Sequence, residues 1–214
     1  QFQYLFMATK KGAVKKTTLK SFANIRSSGL IAIKLKRGDE LCWVKPTTGK
    51  NHILLVTNFG KSIHFDENNA RPMGRDTMGV RGIRLKAGDF VVGMEIFAAK
   101  SQKPADRRKK FFRDILVVME NGLGKRTPIK KYPLQKRGGI GVKAAEVTKK
   151  TGKIVVSRLV TQKVKEVMLT SKRAQVIKLP LKNIPRLGRA TQGVILMRFS
   201  KKGDSVAAMT CLEK

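Results

Sequence analysis

The sequence predicts an all-β protein built from four copies of one four-stranded unit. Three observations carry that prediction: short signatures recur in the same order along the chain, the copies lie about fifty residues apart, and no segment has a long helical period. The first signature is TKKGAVKKT around Gly12, which returns as TNFGKSIHF around Gly60 and MENGLGKRT around Gly122. The fourth copy, TSKRAQVIK, keeps the frame with Arg173 where the others have glycine. The second signature reads IRSSGLIAI at Arg26, GRDTMGVRGI at Gly74, KRGGIGVKA at Lys136 and GRATQGVIL at Gly188. Arg75, Arg137 and Arg189 each stand four residues before a glycine (Gly79, Gly141, Gly193), while Arg26 stands three before Gly29. The third signature is a Gly-Asp turn at Gly38-Asp39, Gly88-Asp89 and Gly203-Asp204, replaced by Thr151-Gly152 in the third copy.

The elements follow in chain order. A strand-like run opens the chain at Phe2, Tyr4 and Phe6, and ELCWV later in the same copy is another. The second copy is the clearest, with strand candidates Ile53–Thr57, Ser62–Phe65, Val80–Leu85 and Phe90–Ile96, punctuated by Gly60 and Gly88. The repeats run from about 1–49, 50–100, 111–161 and 163–214. Between the second and third lies SQKPADRRKKFFR, whose residues 101–110 read as a basic linker. Gly12 to Gly60 is 48 residues and Gly29 to Gly79 is 50, with a longer step across the next junction. That period is too long for helical-pair repeats and fits propeller-like blades. A lone four-stranded sheet exposes an apolar face, so neighbouring units must stack.

Charge bounds the function. Forty-seven Lys and Arg against fourteen acids leave +33, with a pI near 10.9. Self-repulsion of that size favours a polyanionic partner, and a duplex repays a matching surface by releasing counterions. The charge is spread along the chain and not gathered on one amphipathic helix, which argues against a membrane surface. No apolar run is long enough to cross a bilayer, and the start at Gln1 reads as a cut from a longer polypeptide. Cys42 and Cys211 sit in strand-like stretches without metal spacing to His52 or His64, so they read as free thiols of a reducing cytoplasm and no metal is expected.

The strings LFMATKKGAVKKTTLKSFANIRSSGLIAIKLKRGDEL, RPMGRDTMGVRGIRLKAGDFVVGM, ENGLGKRTPIKKYPLQKRGGIGV and GRATQGVILMRF resemble the C-terminal domain of DNA gyrase A subunits over nearly the whole chain. The A subunit of topoisomerase IV is closely similar, and the regular GR-x-x-x-GV signatures fit gyrase better. The resemblance implies a β-pinwheel, a propeller-like ring whose blades exchange strands. Its basic rim would wrap double-stranded DNA and present a segment for strand passage. The implied partners are the rest of the A subunit, together with the ATPase (B) subunit, in a bacterial cytoplasm. Catalysis would belong to an upstream domain carrying the cleaving tyrosine, so no catalytic residue and no cofactor are expected here. Gyrase usually has six blades, with a Q-R-R-G-G-K-G box in the first. Here Gln135, Lys136, Arg137, Gly138, Gly139, Ile140 and Gly141 read QKRGGIG in the third copy, departing at Lys136 and Ile140, and Ile140 removes a positive charge.

Candidate DNA contacts are the basic residues of the Gly-rich loops, where small neighbours let a backbone approach. They are Arg26, Arg71, Arg75, Arg81, Lys136, Arg137, Lys143, Arg186 and Arg189. Strand residues Lys15, Lys16, Lys125, Arg126 and Lys178 join them if Val14, Leu123 and Ile177 face the core. Such contacts grip phosphate and do not read bases. Gly60-Lys61-Ser62 imitates a phosphate-binding loop, but it lacks the upstream glycine and precedes a strand. Asp39, Asp89 and Asp204 read as turn formers, and neither Tyr4 nor Tyr132 has the setting of a nucleophile. Two rivals stay open: an RNA-binding protein, disfavoured by the 6% aromatic content, and a propeller that scaffolds proteins.

Overall fold

The strings HILLV and DILVVM have no polar side, so a strand carrying either must be covered on both faces. The computed structural model, which describes residues 1–25, 27–99 and 112–213, shows them as inner strands of stacked antiparallel sheets. The strands are β1 (Tyr4–Thr9), β2 (Ala13–Thr18), β3 (Leu41–Thr47), β4 (Asn51–Thr57), β5 (Lys61–Asp66), β6 (Val80–Arg81), β7 (Val91–Ala98) and β8 (Arg113–Met119). They continue with β9 (Leu123–Pro128), β10 (Val142–Lys143), β11 (Ile154–Thr161), β12 (Val164–Ser171), β13 (Val176–Pro180), β14 (Val194–Ile195) and β15 (Val206–Glu213). A single turn of 3-10 helix follows β2, β5, β9 and β13. The expected basic linker at 101–110 lies outside the described residues.

The sheet orders are β3-β1-β2-β6, β10-β5-β4-β7, β11-β8-β9-β14 and β13-β12-β15. The strand exchange that the resemblance implies is present: a repeat does not keep all its strands. The short third strand of each later repeat leaves its own unit and pairs on the preceding sheet. Val80–Arg81 lies opposite Val14–Ala13, Val142–Lys143 opposite Ser62–Lys61, and Val194–Ile195 opposite Gly124–Leu123. The span expected at Val80–Leu85 is a strand only over Val80–Arg81, because the Gly82 amide turns onto the Gly12 carbonyl at 2.8 Å. Successive packing of β3, β7, β11 and β15 sets these strands at the hub. The donated strands β6, β10 and β14 therefore form the rim.

Strand parity assigns each side chain to a gap between sheets. On β4, Ile53 and Leu55 pack with Phe6, Val14 and Phe65 in the first gap, whereas Leu54 and Val56 pack with Ile115 and Val117 in the second. On β8 the same alternation sends Leu116 and Val118 to Val167, Leu169 and Val206 in the third. A one-residue slip of either strand would exchange two cores at once, so the stack holds its register on both sides.

The hairpin turns repeat one chemistry. The Thr9, Thr57 and Ser171 hydroxyl oxygens accept the amides of Ala13, Lys61 and Gln175 at 3.0, 3.2 and 3.1 Å. Asp39, Asp89 and Asp204 accept the amides of Lys11, Phe59 and Arg173 at 2.9, 2.9 and 3.1 Å, which ties each Gly-Asp turn to the hairpin beside it. In the fourth copy the left-handed turn residue is Ala174, at φ 65, and not Arg173 as the sequence frame suggested.

Candidate nucleic-acid interface

Each filled joint between repeats is made by the loop that ends in the donated strand. Gly141 shows why the second signature needs glycine: its φ is +69, and a Cβ there would stand 2.1 Å from the Ser62 carbonyl oxygen. The signature arginines then reach back across the joint. Arg137 donates from Nε to the Asn69 carbonyl at 2.7 Å and from Nη1 to the Arg81 carbonyl at 3.1 Å. Arg189 donates from Nη1 to the Lys143 carbonyl at 2.9 Å, and Arg75 from Nη1 to the Ile31 carbonyl at 3.4 Å. These forks are half-buried, with one part spent on the joint and the rest able to take a phosphate oxygen.

The strand cations are placed otherwise than the sequence suggested. Lys15, Lys16, Lys125 and Arg126 were expected at the rim; all four are buried. Both faces of β2 and β9 are covered, one by a core gap and the other by the incoming loop of the next repeat. Lys15 donates to the carbonyls of Ala32 (2.8 Å) and Arg75. Lys125 donates to the carbonyls of Gly188 (2.6 Å) and Arg189 and to Thr191 Oγ1 at 3.0 Å, which uses all three ammonium hydrogens. Burial, reinforced by the neighbouring Arg189 guanidinium and opposed by Glu146, brings the Lys125 pKa down to about 8. Burial lowers that of Lys15 as well. Lys16 pairs with the buried Glu67 at 3.3 Å and donates to Asn68 Oδ1 at 2.8 Å. Arg126 donates to the Ile184 carbonyl at 2.7 Å beside Asp114. These side chains pin one repeat to the next.

The remaining candidates divide by what they already hold. Arg186 grips Asp114 with two bonds of 2.8 Å, Lys143 pairs with Glu146 at 2.5 Å, and Lys178 pairs with Glu166 at 3.4 Å. Arg71, Arg81 and Lys136 are exposed and carry no side-chain hydrogen bond or ion pair among the described residues. Arg26 lies outside the described residues. In the box-like segment, Gln135 and Gly138 donate their amides to the His64 and Gly82 carbonyls at 2.7 and 2.6 Å, so the stretch is wedged on the second sheet. Lys136 and Arg137 line a small hollow of about 330 Å³ with Asn69, and Ile140 beside them is 61% exposed.

The sequence reading passed over further exposed cations: Arg84 and Lys86 after β6, and Lys20, Lys130, Lys131 and Lys182 in the single-turn helices. A basic residue two or three positions beyond the end of the second strand was the available signal in three copies. His52 and His64 bond to each other at 2.9 Å, and His64 Nδ1 donates to the Tyr132 carbonyl at 2.9 Å, so both are engaged in packing. Tyr132 is buried, and burial raises its pKa. No described helix is long and apolar enough to cross a membrane. The whole arrangement can offer phosphates a row of guanidinium and ammonium groups on rigid loops, one cluster per joint.

Comparison with known proteins places this geometry. The family profile described as DNA gyrase C-terminal domain, beta-propeller, matches residues 3–48, 51–98, 113–159 and 165–213. The DNA gyrase A subunit of Staphylococcus epidermidis is 42% identical over 196 residues, covering 92% of this chain and 21% of that protein. The DNA gyrase A subunit of Staphylococcus aureus is 40% identical over the same length and the same shares. The chain thus spans about a fifth of the curated relatives it matches. Among solved structures, the C-terminal domain of DNA topoisomerase IV aligns with a TM-score of 0.86 and 25% identity over 100% of this chain and 62% of its own. The DNA gyrase A C-terminal domain aligns with a TM-score of 0.78 and 25% identity over 98% of this chain and 66% of its own. Four matched repeats and four stacked sheets with exchanged strands agree: this chain belongs to the DNA gyrase C-terminal domain family, the β-propeller also called a β-pinwheel.

Proposed function

We propose that this chain binds double-stranded DNA along its rim, bends it without reading its sequence, and serves as a wrapping element of a gyrase A subunit. The observation that carries the reading is the recurrence of exposed cations at the rim joints, Arg71, Arg81, Arg84 and Lys136 among them, on a chain of +33. Backbone bonds, joined by buried lysines over β2 and β9, hold these loops at fixed spacing, so phosphate contacts form with little loss of loop freedom. Bending a duplex around such a surface costs several kcal/mol, roughly 1–6 for a short site, which many contacts together offset. Identity of 40–42% to gyrase subunits favours gyrase over topoisomerase IV as the enzyme served. The partners this implies are the rest of the A subunit, together with the ATPase subunit, in the cytoplasm, and the chain itself carries no chemistry.

The test is a binding titration against duplexes of unrelated sequence at several salt concentrations. Affinities that agree across sequences and fall by orders of magnitude between about 50 and 200 mM salt support the reading. A flat salt response, or a strong preference for one sequence or for single-stranded RNA, would refute it.

A further inference from the structure

Two elements of the stack have no paired strand among the described residues. The segment Gly29–Ile33 is the first repeat's counterpart of the donated strands, and the outer edge of β13 is the fourth sheet's counterpart of the edges that receive them. The simple expectation is that they fit each other, closing the ring or joining copies head to tail.

We infer that they do not fit: β13 is barred from accepting a donated strand by one methyl group, the Cβ of Ala174. Ala174 holds the turn position of Gly12, Gly60 and Gly122 and has the same left-handed backbone, φ 65 against 82, 81 and 79. In each filled joint that glycine's carbonyl accepts amides of the incoming chain: Gly82 on Gly12 at 2.8 Å, Ala144 on Gly60 at 2.7 Å, Leu196 on Gly122 at 2.8 Å. The chain therefore lies directly over the glycine. A Cβ at Gly122 would stand 2.2 Å from the Met197 carbonyl oxygen, and at Gly60 2.8 Å from that of Ala145. At Gly12 it would stand 2.9 Å from Ile83 Cγ2 and 3.2 Å from the Ile83 carbonyl oxygen. At Gly122 the obstacle is backbone, at Gly60 backbone and the Val147 side chain together, and at Gly12 first the Ile83 methyl group.

The rest of the β13 edge agrees. Gln175, at the position that would pair, is folded onto its own repeat, donating to the Arg198 carbonyl at 2.7 Å and accepting from the Ser200 amide at 3.1 Å. The donor end meets no such obstacle at its turn. Gly29 keeps φ +78 with nothing within 4 Å of its Cβ position, and Ile31 is 61% exposed. The segment is already held in shape by Lys15 on the Ala32 carbonyl and by the Lys34 amide on the Thr77 carbonyl at 3.0 Å. It suits an outer strand whose turn residue is glycine, and β13 is not one. Copies of this chain consequently do not join through β13 and this segment.

The experiment compares the unaltered chain with Ala174→Gly by sedimentation equilibrium at high salt, where bound nucleic acid does not interfere. The unaltered chain stays monomeric, and Ala174→Gly associates head to tail at least about tenfold more tightly, with new hydrogen-exchange protection at residues 30–33. Gly122→Ala runs the converse in a filled joint: the Leu196 and Met197 amides exchange faster while that of Ala144 is unchanged. Equal association of the unaltered chain and Ala174→Gly, at any level, overturns the inference. So does unchanged protection of Leu196 and Met197 in Gly122→Ala.

Discussion

Lys125 is a cation placed where a sequence reading expects solvent, and its surroundings make it measurable. A pKa of about 8 against an ordinary 10.5 means that between these values the unfolded chain holds more protons than the folded one. The contribution of Lys125 to stability therefore rises with pH across that window and is lowest below pH 8. A carbon-detected NMR titration of the lysine side chains should show this one residue titrating near 8, well below the exposed lysines. A titration of Lys125 among the others would mean that the ammonium is not enclosed by the loop of residues 188–191. Asp114 is the complementary case: fully buried, it takes two bonds from Arg186 and lies 3.8 Å from Arg126. Asp114→Asn leaves the buried Arg126 without its counter-charge and should cost about 3 kcal/mol in urea unfolding. A change within about 0.5 kcal/mol would show that the pair is dispensable.

At the scale of the elements, the donated strand is the device on which the stack depends. Gly141→Ala and Gly29→Ala impose a similar left-handed backbone cost, on the order of 1–2 kcal/mol. Only Gly141 also meets a carbonyl, at 2.1 Å, while Gly29 meets open space. Gly141→Ala should therefore destabilise by roughly 3 kcal/mol or more and Gly29→Ala by about 1, read from thermal or urea melts. Equal losses would mean that the joint tolerates a methyl group. Much of this architecture was legible in the sequence, because turn glycines and Gly-Asp pairs recur in a fixed frame and β-branched runs mark the strands between them. Strand donation had no sequence-local signal, since a two-residue strand such as Val142–Lys143 reads the same whichever sheet it joins. The buried lysines were misplaced for a related reason. Alternation assigns one of Lys15 and Lys16 to each face of β2, and it cannot show that the next repeat covers the second face. Arg71, Arg81 and Lys136 were legible as exposed cations because two sit in loops and Arg81 ends a two-residue outer strand, so none lies in a strand covered from both sides.

For the whole molecule, the buried and exposed cations should separate in their effects. Replacing Arg71, Arg81 and Lys136 together by alanine should leave the melting temperature within a degree or two, as expected for surface positions without partners. The same replacement should reduce the steepness of the salt dependence by about 0.9 for each phosphate no longer neutralised. Lys125→Met should do the reverse first, lowering stability because three hydrogen bonds to the 188–191 loop are removed. A triple variant that unfolds, or that binds DNA with an unchanged salt slope, would remove these residues from the interface. Bending is a separate property from binding, and it is what makes the rim a wrapping surface. It is tested most directly by ligating nicked circular DNA in the presence of increasing amounts of this chain and resolving the topoisomers after the protein is removed. Wrapping predicts a linking-number change of one sign that grows with the amount bound. An unshifted topoisomer distribution on DNA shown to be saturated with the chain would contradict it.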